Sequence, residues 1–124
     1  MYDHIGLRVK DLGASVRFFE AALAPLGFVL CSRDESTYAG FGPPGAPALW
    51  LHAVKKADNS GAHVAFRAKT RAAVAAFHRA GLGAGGTDNG APGLRPDYSP
   101  TYYGAFLVDP DGNNVEAVCH AEEK

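Results

Sequence analysis

The chain has 124 residues, 47% of them apolar and 20% charged, which fits one folded domain around one core and excludes both a disordered chain and two separately stabilised domains. Lys and Arg total 12 against 13 Asp and Glu, a formal net charge of -1, so there is no basic field to attract nucleic acid or an anionic membrane.

The opening Met1-Tyr2-Asp3-His4 runs straight into a strand-like segment without a charged leader or a long apolar stretch, so a soluble, cytoplasmic protein is expected. From His4 to Val9 the residue types alternate: His4, Gly6 and Arg8 face one way, Ile5, Leu7 and Val9 the other. Asp11 is placed to cap a helix whose apolar stripe is Leu12, Val16, Phe19 and Leu23, ended by Pro25 and Gly27. Three short strands follow, over 28–32, 37–41 and 48–54, the last two joined by Gly42-Pro43-Pro44-Gly45.

Then the pattern starts again. His63-Val64-Ala65-Phe66-Arg67-Ala68-Lys69 repeats His4-Ile5-Gly6-Leu7-Arg8-Val9-Lys10 after 59 residues, and Phe77 falls on Phe18. Thr70 caps a second helix with Val74 and Phe77 on its buried stripe, ending at Gly81. A weak Gly-rich strand over 82–87 is followed by strands over 102–108 and 113–119, joined by the turn Asp109-Pro110-Asp111-Gly112. Tyr38-Ala39-Gly40-Phe41 resembles Tyr103-Gly104-Ala105-Phe106, so the second copy carries an insertion, placed between Thr87 and Thr101.

The order is βαβββ twice in one domain, 1–124, with module 1 over about 1–56 and module 2 over about 61–120. One copy cannot cover both faces of its own sheet, so the modules are expected to pair, within the chain or across a symmetric homodimer. Cys31 and Cys119 lack Cys-x-x-Cys spacing and are expected as buried thiols.

Histidine with carboxylate is a common ligand set for borderline metals. His4 and His63 hold the same place in the first strand of each repeat, and Glu116 interrupts the apolar run Asn114-Val115-Glu116-Ala117-Val118. A carboxylate facing a sheet interior is costly without a cation or hydrogen-bond donors, whereas an outward-facing Glu116 is an ordinary solvated residue. His78 and His120 read as surface residues. The prolines and glycines of 89–100 mark a long loop, a candidate lid from which Arg95 and Tyr98 reach an anionic or aromatic small molecule. The alternative is Arg95 bonded to Asp97 or to backbone carbonyls. Trp50, Tyr38, Phe41, Tyr102 and Tyr103 fill strand positions, as aromatic residues tend to.

The strand-initial histidines, the helix from Asp11-Leu12 to Phe18-Phe19, and above all Asp109-Pro110-Asp111-Gly112-Asn113-Asn114-Val115-Glu116 resemble the vicinal oxygen chelate superfamily, which includes glyoxalase I, extradiol dioxygenases and bleomycin-resistance proteins. The resemblance implies an α+β fold of two paired βαβββ modules in a U-shaped, mostly antiparallel sheet. It implies a divalent metal (Fe, Mn, Zn or Ni) held by His4, His63 and Glu116, with Glu116 also catalytic. Trp50 falls where glyoxalase I has a fourth, acidic ligand, so the set matches a 2-His-1-carboxylate triad with open positions rather than that enzyme's site. His52, on the same face by period two, is the second choice for that corner. Trp50, His52, Arg95, Tyr98, Tyr102 and Tyr103 are the expected contacts of the substrate, a small molecule with vicinal oxygens that undergoes lyase, isomerase or ring-cleaving dioxygenase chemistry. The alternative within the resemblance is a non-catalytic drug-binding protein.

Overall fold

The structure is a computed structural model and describes residues 1–58 and 61–122. Strand β1 (Ile5–Val9) leads to helix α1 (Leu12–Leu23), a short 3-10 turn (Ala24–Leu26), and strands β2 (Val29–Asp34), β3 (Tyr38–Gly42) and β4 (Leu49–Ala53). Strand β5 (His63–Arg67), helix α2 (Arg71–Gly83), and strands β6 (Thr87–Leu94), β7 (Tyr103–Val108) and β8 (Asn114–Cys119) repeat that order. Each module forms its own four-stranded sheet, ordered β1-β4-β3-β2 and β5-β8-β7-β6. The β1/β4 and β5/β8 pairs are parallel and the others antiparallel.

Local chemistry accounts for both helices. The Asp11 carboxylate accepts the Ala14 N–H at 3.0 Å and the Thr70 hydroxyl accepts that of Ala73 at 3.0 Å, satisfying donors that the first turn leaves open. Helix α1 buries Leu12, Val16, Phe19 and Leu23 as the stripe predicts, together with Phe18. After the 3-10 turn the chain reverses through Gly27, whose φ of 86° is a left-handed conformation suited to glycine.

The modules meet back to back. Helices α1 and α2 pack on each other, and a Cβ at Gly81 would run into the Leu107 side chain and lie 3.3 Å from the Phe18 ring. The Phe28 and Phe66 rings meet across the junction at 6.3 Å. Asp111, in the turn before β8, accepts Lys10 N–H at 3.1 Å and Ser15 Oγ–H at 3.4 Å, tying module 2 to the start of α1. One apolar core results, holding Leu7, Val9, Phe18, Phe19, Leu51, Phe77, Leu107, Val115 and Ala117. Among the described residues β1 and β5 pair only with β4 and β8, so the two sheets are not joined edge to edge in one chain. Each helix packs on its own sheet, and the inner faces contribute to the shared core.

Four expectations need correction. The Gly-rich strand lies over 87–94 rather than 82–87, because α2 continues to Gly83 and because pairing with β7, not local alternation, defines β6. The inserted loop is accordingly confined to 95–102, with the first half of the expected 89–100 loop in β6. The repeats align one residue differently in their third strands: Gly40 pairs with Trp50 as Phe106 pairs with Glu116, so Tyr38 corresponds to Gly104 rather than Tyr103. Cys119 is buried but Cys31 only partly so, its Sγ lying 3.4 Å from the Pro43 carbonyl oxygen; both are free thiols.

The fourth correction is His78, which is buried, its Nε2 2.8 Å from Asp88 Oδ1, because β6 runs beneath that face of α2. The His78 contact, followed by the Gly90 N–H, holds the Asp88 carboxyl below its ordinary value of 3.8. A depressed acid stabilises the fold above its unfolded pKa and loses that contribution as pH falls through the folded one. Asp88→Asn is therefore expected to lower stability in the neutral range, where the ionised carboxylate contributes, and to flatten the acid limb below pH 3.8, as thermal melts from the acid to the neutral range will read.

Candidate metal centre on the outer sheet face

Strand β8 turns Val115, Ala117 and Cys119 into the core and Asn114, Glu116 and Val118 to the outer face. Glu116 lies between Ala65 of β5 and Phe106 of β7. An outward carboxylate is ordinarily solvated, yet Glu116 is only 1% exposed. Both its oxygens are engaged: Oε1 lies 2.9 Å from His63 Nε2, and Oε2 accepts the Tyr102 hydroxyl. Those partners offset the cost of taking the carboxylate from water. Burial first, and the bond to Glu116 second, push the Tyr102 hydroxyl up to about 12, so it remains a donor throughout the neutral range.

The surrounding wall is aromatic. The His63 ring lies 6.4 Å from Phe106, and the Arg95 guanidinium stands 5.4 Å above the same Phe106 ring. Arg95 donates to the carbonyls of Ala91 at 2.7 Å and Gly93 at 2.8 Å, the backbone-bonded arrangement rather than a pairing with Asp97. Tyr98, 66% exposed, meets Tyr102 edge to face at 5.0 Å, and His120 meets Tyr102 at 5.3 Å. His120 is exposed, as expected. Tyr103 occupies the opposite, inner side of β7, with Arg71 over its ring at 5.2 Å.

His4 lies apart from this group, its Nδ1 2.6 Å from Asp3 Oδ1 and its side chain 59% exposed. Among the described residues no three of His, Cys, Asp and Glu gather in one place. Within one chain the structure thus brings together His63 and Glu116 but not His4. Module 1 carries a second outer wall. Trp50 pairs with Gly6 as Glu116 pairs with Ala65, so Trp50 stands at the position equivalent to the carboxylate. Its ring covers Gly40, where a Cβ would lie 2.6 Å from it, and meets Tyr38 edge to face at 5.9 Å. His52 follows on the same face, with its ring 3.6 Å from where a Cβ on Gly6 would sit.

Two contributors escape the sequence reading. Phe106 forms the floor beside His63, and Gly104 leaves the space in which Tyr102 reaches Glu116, since a Cβ there would lie 3.1 Å from the tyrosine ring and 3.3 Å from Glu116 Oε2. Alternation counted back from Phe106 puts 102, 104 and 106 on one face, a signal present in the sequence once the strand's outer side is known.

A divalent cation fits what is present in part. Nitrogen and carboxylate are suitable donors, and 2.9 Å between His63 Nε2 and Glu116 Oε1 is close to the spacing of two neighbouring ligands each about 2.0–2.1 Å from one ion. Two protein ligands are one short of the three usual at a catalytic site.

A family model described as the Glyoxalase/Bleomycin resistance protein/Dioxygenase superfamily matches residues 2–117. A glyoxalase/bleomycin resistance protein from Albidiferax ferrireducens T118 superposes with a TM-score of 0.83 at 29% identity, over 98% of this chain and 99% of that one. A glyoxalase/bleomycin resistance protein/dioxygenase family enzyme from Burkholderia phytofirmans PsJN gives 0.72 at 20% identity, over 96% and 98%. A glyoxalase-related enzyme from Fulvimarina pelagi gives 0.70 at 19%, over 93% and 84%; at these lower identities the likeness is one of fold. Among curated proteins the chain has no match.

Proposed function

The chain belongs to the Glyoxalase/Bleomycin resistance protein/Dioxygenase superfamily, and from that premise we propose that it is a divalent-metal enzyme acting on a small molecule with vicinal oxygens, in a site completed by a second copy. The observation that carries the reading is Glu116, a buried carboxylate on an outer sheet face with one oxygen 2.9 Å from His63 Nε2. His63 and Glu116 of one copy and His4 of the other would hold the cation. When bound, the cation supplies Lewis-acid polarisation of the substrate's adjacent oxygens. The outer wall of His63 and Phe106, with Glu116 buried beneath His63 and Tyr102, and that of Trp50 and His52 have no further element packed over them among the described residues of the single chain. Two copies related by a two-fold axis would set one wall against the other twice over, with the edge strands β1 and β5 available for pairing beside them. The aromatic rings on both walls suit a planar substrate and exclude water from its faces.

The test is complementation. Light scattering should give a dimer, and His4→Ala and Glu116→Gln proteins should each lose metal. Co-refolded together, they should regain it, because one of the two sites in a mixed dimer receives all three intact ligands. Failure to regain metal, or a monomer that binds it tightly, contradicts the shared site. A second reading, a binder without chemistry, is favoured by Trp50 standing where a carboxylate would complete the ligand set. A dimer that takes up none of Fe, Mn, Zn or Ni yet binds planar aromatics would select it.

A further inference from the structure

The clearest difference between the two repeats is the hairpin joining their second and third strands, which spans 35–37 in module 1 but 95–102 in module 2. The longer hairpin is internally bonded: Tyr98 N–H donates to Arg95 O at 3.0 Å, Tyr102 N–H to Ser99 O at 3.3 Å, and Arg95 N–H to Tyr102 O at 2.8 Å. Its last residue, Tyr102, is therefore held through both its backbone N–H and its carbonyl. The Tyr102 ring is also held edge to face by Tyr98 at 5.0 Å and by His120 at 5.3 Å. Gly104 clears the path between that ring and Glu116. In module 1 the position equivalent to Glu116 is Trp50, with no carboxylate to anchor, and there the hairpin is short.

We propose that the enlarged hairpin serves to present Tyr102 as a positioning residue, whose hydroxyl pins one oxygen of Glu116 so that the other stays directed at His63. The hairpin closes on the protein's own carboxylate rather than over a substrate. Its consequence for metal binding rests on the function proposed above: a carboxylate with one oxygen committed to a phenol offers a cation the other, in a fixed orientation.

Tyr102→Phe removes the hydroxyl and keeps the ring packing. Titrated with Co(II), it should bind about 10–100-fold more weakly than the unmodified protein and show altered visible absorption bands, with a lowered melting temperature because the buried Glu116 Oε2 loses its donor. Gly104→Ala, which puts a methyl between ring and carboxylate, should reproduce the loss. In the metal-free protein, proton NMR should show a slowly exchanging downfield hydroxyl signal with contacts to the Tyr102 ring, absent in Tyr102→Phe and displaced in Glu116→Gln. Equal Co(II) affinity in Tyr102→Phe, or no such hydroxyl signal, overturns the proposal. Should the unmodified protein take up no Co(II), the metal reading fails by itself, and the hydroxyl signal decides whether Tyr102 holds Glu116.

Discussion

Glu116→Gln is expected to lower metal affinity by at least about 100-fold while the fold survives. Glutamine keeps the length and planar shape of the side chain, so it occupies the same space between Ala65 and Phe106. Its carbonyl oxygen can still accept the Tyr102 hydroxyl. What disappears is the negative charge that a divalent cation requires from this corner, and the amide nitrogen is no ligand. Removing a buried charge that is already hydrogen-bonded carries opposing effects on stability, lost attraction against relieved desolvation, so the net change should stay within about 1 kcal/mol. Metal analysis after dialysis, beside a urea titration, reads both quantities. A variant that keeps stoichiometric metal would remove Glu116 from the ligand set, and one that unfolds would make its role structural.

Phe18→Ala is expected to cost about 3–5 kcal/mol, the range for emptying a fully buried aromatic site. The Phe18 ring is wholly buried, lies 4.9 Å from Phe19 in a T-shaped contact, and fills the space left by Gly81 and Gly86 of module 2. Its loss would open a cavity between two helices that cannot close, since α1 is also tied through Ser15 to Asp111. A domain of this size has about 5–15 kcal/mol in total, so the variant should be partly unfolded at physiological temperature. The urea midpoint should fall with little change in slope, because both modules contribute to one core and unfold together. A loss below about 1 kcal/mol would mean that the modules do not depend on this junction.

The sequence by itself determined what is local. Asp11 and Thr70 can cap only the residues that follow them, and the stripe Leu12, Val16, Phe19 and Leu23 can be buried together only on a helix. Period-two alternation sorted His4, Gly6 and Arg8 from Leu7 and Val9, and the repeat carried that sorting to the first strand of module 2; Trp50 takes the fourth ligand corner only through the family resemblance, and its equivalence to Glu116 comes from the pairings with Gly6 and Ala65. The remainder was decided between segments. Strand β6 lacks a hydrophobic alternation, with burial uneven along Thr87–Leu94, and it is a strand because β7 supplies partners to its backbone. His78 reads as a surface residue until β6 brings Asp88 beneath it. Glu116 faces outward and is nonetheless buried, because Tyr102 arrives from a hairpin and His63 from a parallel neighbour. The separation of His4 from His63 and Glu116 follows from modules that pack through their helices and keep β1 and β5 in separate sheets. Caps and periodicities act over a few residues, so they are written in the chain; burial, register and module pairing depend on free energies shared among distant segments, so they appear only in the folded molecule.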